Sequence, residues 1–102
     1  MDISVVIPVF NAEKTVAACL ESLYGQACQP LEIIIVDNGS TDGTEAIIGE
    51  MIHRSKDTPI QYLRETRRGP SFARHRGAAQ ARGDLLAFLD ADCIAAPAWL
   101  SQ

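Results

Sequence analysis

Several kinds of residue are in short supply in this chain, and each shortage closes off a class of function. The 102 residues hold two histidines, His53 and His75, and three cysteines, Cys19, Cys28 and Cys93. The cysteines are odd in number, form no CxxC pair and have no histidine at metal-ligand spacing, which reads as reduced thiols in a cytosolic chain. No apolar run reaches the ~18 residues that would mark a membrane-spanning helix. The apolar opening is broken by Pro8 and lacks a small-residue cleavage pattern, so it does not read as a secretory signal. Attachment of a longer parent to the inner face of a membrane would use other residues. Bases are outnumbered, nine against thirteen acids, and a net charge of −4 with pI near 5.0 argues against a nucleic-acid partner. Glycine is missing after the first apolar run, where Pro8-Val-Phe-Asn-Ala-Glu13 replaces the glycine-rich turn of a dinucleotide-binding dehydrogenase.

The most distinctive stretch present is Leu85-Leu-Ala-Phe-Leu-Asp-Ala-Asp-Cys93, five apolar residues that end in two carboxylates. Such a run fits a strand buried on both faces of a parallel sheet. Its charges then lie at the carboxyl end, the edge where open α/β sheets bind ligands, and two Asp one residue apart can share a cation there. Earlier in the chain, Ile3 to Val9 and Leu31 to Val36 read as buried strands, and Ile60 to Leu63 as a third strand nearer a sheet edge. Helical spacing joins Val16, Cys19, Leu20, Leu23 and Tyr24 behind an N-cap at Asn11. Asp42 and Glu45 have capping-box spacing for a helix to about Arg54. Pro70 suits the first turn of a third helix ending at Gly83, and a further helix is expected from Ile94 to Gln102.

The β-α-β-α-β-α-β alternation predicts a three-layer α/β fold, a mostly parallel sheet with helices on both faces. Strand order 3-2-1-4, half of a doubly wound sheet, would bring the ends of strands one, two and four to one crevice. Residues 1–102 form at most one domain. A stop one turn into a helix, with no cap or polar tail, gives the expectation that this is the N-terminal part of a longer protein, truncated at its C-terminal end. Apolar surface opened by such a cut would favour self-association.

Asp90 and Asp92 after the fourth strand, with the acidic strand end at Asp37, point to a metal and diphosphate site for Mg²⁺ or Mn²⁺ rather than to a solvated turn. Asp37 either closes its own loop as an Asx-turn or accepts hydrogen bonds from a base or ribose. Glu13 suits the first turn of a helix and can still face a ligand. Six of the nine basic residues, Arg64, Arg67, Arg68, Arg74, Arg76 and Arg82, fall in one stretch. Arg74, with Arg67, Arg68 and Arg76, is a candidate for phosphate, although a solvated helix face accounts for most of that cluster. Trp99 reads as core, and His53 as surface.

Together VVIPVFNAE, LEIIIVDNGSTDGT, RGPSFARHRGAAQARGD and LLAFLDADC resemble, in order and spacing, the N-terminal half of family 2 glycosyltransferases of the GT-A fold. The resemblance runs from Ile3 to about Leu100. It implies inverting transfer of a sugar from a nucleotide diphosphate donor, most often a UDP-sugar, with a divalent metal, to an acceptor that is a saccharide, a lipid-linked sugar or a protein. Pro8, Val9, Phe10 and Glu13 would then surround the base and ribose, and Asp37 would contact the uracil or ribose region. Arg74 would lie near the nucleotide, and Asp90-Ala91-Asp92 would be the DxD, with Asp92 the direct metal ligand and Asp90 on ribose or a metal-bound water. Arg67 and His75 stand where the family often has Asn. The catalytic base and acceptor-side residues would lie beyond Gln102, leaving this chain the donor half and no activity of its own.

A non-catalytic nucleotide-binding module is the alternative reading. A phosphatase with an aspartyl nucleophile also has a strand-end DxD, but after its first strand, and followed by Thr or Val rather than Cys93-Ile94.

Overall fold

β-Branched residues build the centre of the protein, whose computed structural model describes residues 2–55 and 57–101. They form β1 (Ile3–Val9) and β2 (Glu32–Asp37), which pair in parallel with Val5 opposite Ile33 and Ile7 opposite Ile35. Strands β3 (Ile60–Arg64) and β4 (Leu85–Phe88) extend the sheet on either side, also in parallel, in the order β3-β2-β1-β4. This is the order expected from the sequence. Alternation along the strands then sorts the side chains into two layers. Val5, Ile7, Val9, Ile33 and Ile35 meet α1 (Val16–Tyr24) and α2 (Thr44–Arg54), while Val6, Ile34 and Val36 meet Ala73 of α3 (Pro70–Gln80) on the opposite face.

The helix boundaries correct three expectations. Asn11 does not cap α1, which starts at Val16 with Thr15 as its N-cap; Asn11 sits at φ 47° and its side-chain carbonyl accepts from the Thr41 N–H at 2.8 Å. Asp42 and Glu45 make no capping box. Gly43 is the N-cap of α2, Asp42 accepts from the N–H and hydroxyl of Thr44, and Glu45 reaches across to Arg64. Helix α3 stops at Gln80, because the chain turns there into a buried knot: the Glu32 carboxylate accepts from the Ser4 hydroxyl and the Arg82 N–H, both at 2.7 Å. Burial opposes the charge on Glu32, but those donors and the Arg82 guanidinium hold its carboxyl below the usual range.

The fourth strand is also corrected. β4 pairs only with β1 and is an edge, not a strand buried on both faces. Helix α3 lies over β1 and β2, so Phe88, in register with Val6 on that face, is left 44% exposed, and Leu85 and Leu86 are exposed as well. Beyond it the chain folds back on α1. Gln26 donates to the Ala96 carbonyl at 2.6 Å and accepts from the Leu100 N–H at 3.0 Å, while Ser22 accepts from the Ala95 N–H. A single 3₁₀ turn, Trp99–Ser101, replaces the expected last helix, with Trp99 partly buried against the core; Gln102 lies outside the described residues.

Helix α3 can approach the sheet closely because Ala73 and Gly77 are its buried positions. A Cβ at Gly77 would collide with the Val6 side chain and press on Val36 at 3.3 Å. Alanine improves helix propensity by about 1 kcal/mol, but overpacking costs about 1–3 kcal/mol. Gly77→Ala is therefore expected to lower the denaturant midpoint of unfolding; an unchanged or higher midpoint would show that the helix has room to lift.

Candidate functional site

Parallel strands deliver their carboxyl ends, and the loops that follow, to one edge of the sheet. Two adjoining depressions open there. The first, of about 350 Å³, is lined by Pro8, Val9 and Phe10 after β1, Asn38 after β2, Arg68, Gly69, Pro70 and Ala73 around the start of α3, and Asp90 and Ala91 after β4. The second shares Pro8, Phe10 and Ala91 with it and adds Asn11, Ala12, Thr15 and Asp92. Five of the residues picked from the sequence (Pro8, Val9, Phe10, Asp90 and Ala91) thus line one cavity, and Asp92 lines its neighbour.

Two others face elsewhere. Asp37 is fully buried beneath the crevice. One carboxylate oxygen accepts from the Gly39 and Ser40 N–H groups at 3.1 and 2.7 Å, and the other from the Tyr62 hydroxyl at 2.6 Å. Burial and this bond to Asp37 raise the Tyr62 hydroxyl above its ordinary pKa, keeping it a donor. These bonds to Gly39 and Ser40 are those of the loop-closing Asx-turn. Glu13 turns into the neighbouring loop, where it accepts from the Gly43 N–H at 2.9 Å. The same two loops are joined by bonds from the Asn11 N–H to Ser40 and the Ala12 N–H to Thr44, both 2.8 Å.

The wall that sequence reasoning underweighted is Asn38. Its amide donates to the Glu65 and Arg67 carbonyls at 3.0 and 2.6 Å and accepts from the Gly69 N–H at 2.8 Å, so one buried side chain shapes the whole 65–69 loop. The DNG turn signal in the sequence marks Asn38 as a loop residue but carries no hint of a partner some thirty positions on. Glu65 completes the loop: its carboxylate accepts from the N–H of Arg67 and from its guanidinium, and these bonds bring its pKa from 4.5 down to about 2.

At the other wall, the Cys93 N–H donates to the Asp90 carbonyl at 3.0 Å, making a tight turn that gathers donor atoms of Asp90, Asp92 and Cys93 within 4.8 Å of one another. All three side chains are exposed. A carboxylate pair with this separation suits a hard divalent cation. Arg74 comes to 4.0 Å of Asp90, with both side chains well exposed, a contact too screened to fix either group. Beneath the turn, burial, helped by the charges of Cys93, Asp92 and Asp90, pushes the Cys19 thiol up to about 12. It stays protonated and donates to the Asp90 carbonyl. His53 and His75 are both exposed and line neither depression.

Comparison with known proteins agrees with this architecture. Residues 4–102 match the family model described as glycosyl transferase family 2. An uncharacterized glycosyltransferase of Haemophilus influenzae is 38% identical over 90 residues, which are 88% of this chain and 36% of that protein. A mannosyltransferase of Pyrobaculum calidifontis, PcManGT, solved in complex with GDP-Man and Mn²⁺, superposes with a TM-score of 0.86 at 29% identity over 95% of this chain and 29% of its own. TarS 1-349 of S. aureus, solved in complex with UDP-GlcNAc, gives a TM-score of 0.78 at 31% identity over 90% of this chain and 27% of its own. The chain spans about a third of the length of the curated relatives it matches.

The Glu65 clamp has a pH signature. A carboxyl held below its unfolded value stabilises the fold fully above about pH 4.5, and that contribution is lost as the pH falls towards 2. The stability difference between wild type and Glu65→Gln should therefore be constant near neutrality and shrink between pH 4.5 and 2. A difference independent of pH would mean that Glu65 acts through packing alone.

Proposed function

This chain belongs to glycosyl transferase family 2, and we propose that its crevice binds the nucleotide diphosphate part of a sugar donor, with UDP-sugars as the donor class. The observation that carries the proposal is the pairing, across two adjoining depressions that share Pro8, Phe10 and Ala91, of an apolar and aromatic end formed by Pro8, Val9 and Phe10 with a carboxylate end formed by Asp90 and Asp92. A nucleobase and a diphosphate make the same pair of demands. In the bound state the base and ribose lie on Phe10 and Val9, and the diphosphate lies towards Ala91 and Asp92.

Asp92 and Asp90 fit a hard divalent cation by donor type and separation. Bound there, Mn²⁺ or Mg²⁺ would supply Lewis-acid neutralisation of the leaving diphosphate. Asp92, which lines the second depression, is the direct ligand, and Asp90 the ribose or water-mediated one. Arg74 adds positive charge beside the pair. Asp37 and Glu13 then act from below, holding the loops that hold the nucleotide. Inversion by a single displacement, and the base that deprotonates the acceptor, belong to a longer protein of which these residues supply the donor side.

Calorimetric titration of UDP in the presence of Mn²⁺ provides the test. Wild type should bind in a Mn²⁺-dependent manner, and Asp92→Ala should lose that dependence and bind at least tenfold more weakly. Equal binding by the two proteins would refute the metal assignment. A second expectation concerns the open edge. Leu85, Leu86 and Phe88 expose apolar side chains beside unpaired backbone of β4, a template for association. Light scattering should show mass increasing with concentration, and a clean monomer at high concentration would count against self-association.

A further inference from the structure

Most arginines in the 64–82 stretch already have acidic partners. Arg64 pairs with Glu45, Arg67 with Glu65 and Arg82 with Glu32, and Arg74 approaches Asp90. Arg68 differs from them. Among the described residues its side chain makes no ion pair and no hydrogen bond, yet it is the arginine that lines the first depression. Its guanidinium lies over the Phe10 ring, 5.4 Å from the centroid.

The backbone that carries it is held on both sides. Asn38 accepts from the Gly69 N–H and donates to the Arg67 carbonyl, and Arg67 itself is fixed by Glu65 and by stacking over Phe72 at 4.7 Å. A pinned backbone bearing an unpaired planar cation above an exposed aromatic ring is the geometry of a cap. The 5.4 Å separation lies within cation–π range. A base entering against Phe10 would displace the guanidinium outward, onto the base's outer face. The flat, weakly hydrated guanidinium suits this position, whereas an ammonium would not stack.

We propose that Arg68 closes over the nucleobase, sandwiching it against Phe10, and so sets how tightly the nucleoside part of the donor is held. This rests on the donor-binding reading above and adds to it a residue acting on the base rather than on the diphosphate.

The test separates the two sources of affinity. UDP and, separately, inorganic diphosphate are titrated with Mn²⁺ into wild type, Arg68→Ala and Arg68→Lys. Loss of one stacking partner should weaken UDP roughly tenfold in Arg68→Ala. Arg68→Lys, which keeps the charge without the plane, should not restore it, and diphosphate should bind all three proteins alike. Unchanged UDP affinity in Arg68→Ala, full rescue by Lys, or an equal loss for diphosphate would each overturn the cap and leave the donor reading in place. Absence of UDP binding by wild type would instead overturn the donor reading, and the cap with it.

Discussion

Two adjacent buried polar residues at the end of β2, Asp37 and Asn38, support the crevice on the β2 and α3 side. Burying a carboxylate or an amide is costly unless its hydrogen-bonding groups are met, and here they are met by the backbone of two different loops and by one tyrosine hydroxyl. Asp37 takes the N–H groups of its own loop and the hydroxyl of Tyr62 on β3; Asn38 takes both carbonyls and an N–H of the 65–69 loop. The β1–α1 loop is then laced to the first of these through Asn11, Ala12 and Glu13. No buried side-chain nitrogen or oxygen is left without a partner among the described residues. Loops built this way have little freedom to collapse, which is why the edge holds a preformed hollow.

The far end of the sheet matters for the opposite reason. β4 has one neighbour, and four residues of ladder with β1 would specify its register weakly. The Ser4, Glu32 and Arg82 knot fixes the chain just before β4 begins, with the Gly83 N–H donating to Ser4 at 2.9 Å. Ser22 on α1 and Gln26 just past its end fix it again just after. A buried ionic group of this kind is weak evidence for stability but good at enforcing one arrangement. The position of Asp90 and Asp92 is therefore set from both sides of a short edge strand.

This division explains which features are legible in the sequence. Strand order follows from alternation and right-handed crossovers, which leave few topologies to choose among. That Pro8, Val9, Phe10, Asp90 and Asp92 come to one edge is legible because parallel strands deliver the loops that follow them there. The exposure of β4 is not legible, because Leu85 to Leu89 has the same periodicity whether or not anything covers it. Nor is the direction of Asp37, since an Asx-turn and a ligand contact ask for the same residue in the same loop. Asn11 misleads for a similar reason: a residue that suits an N-cap also tolerates positive φ, and its contact to Thr41 depends on a pairing thirty residues away. The arginine cluster reads as one feature in sequence and separates only when each partner is placed.

That separation bears on why the crevice would use a cation at all. Six arginines in one stretch suggest a positive surface, but Arg64, Arg67 and Arg82 are neutralised by Glu45, Glu65 and Glu32. The net charge of the chain is −4. Asp90 and Asp92 stand exposed at the mouth; Arg74 reaches 4.0 Å from Asp90 but is well screened, and Arg68, which lines the same depression as Asp90, lies over Phe10. A diphosphate approaching that pair without a counterion would meet repulsion of about 1 kcal/mol or more for each close charge pair, even near water's dielectric constant. The carboxylate end is thus mismatched by charge to the proposed anionic ligand, while the crevice matches it by shape and by Phe10. A divalent cation between the two carboxylates reverses the mismatch, so the donor and the metal are expected to bind as a linked pair.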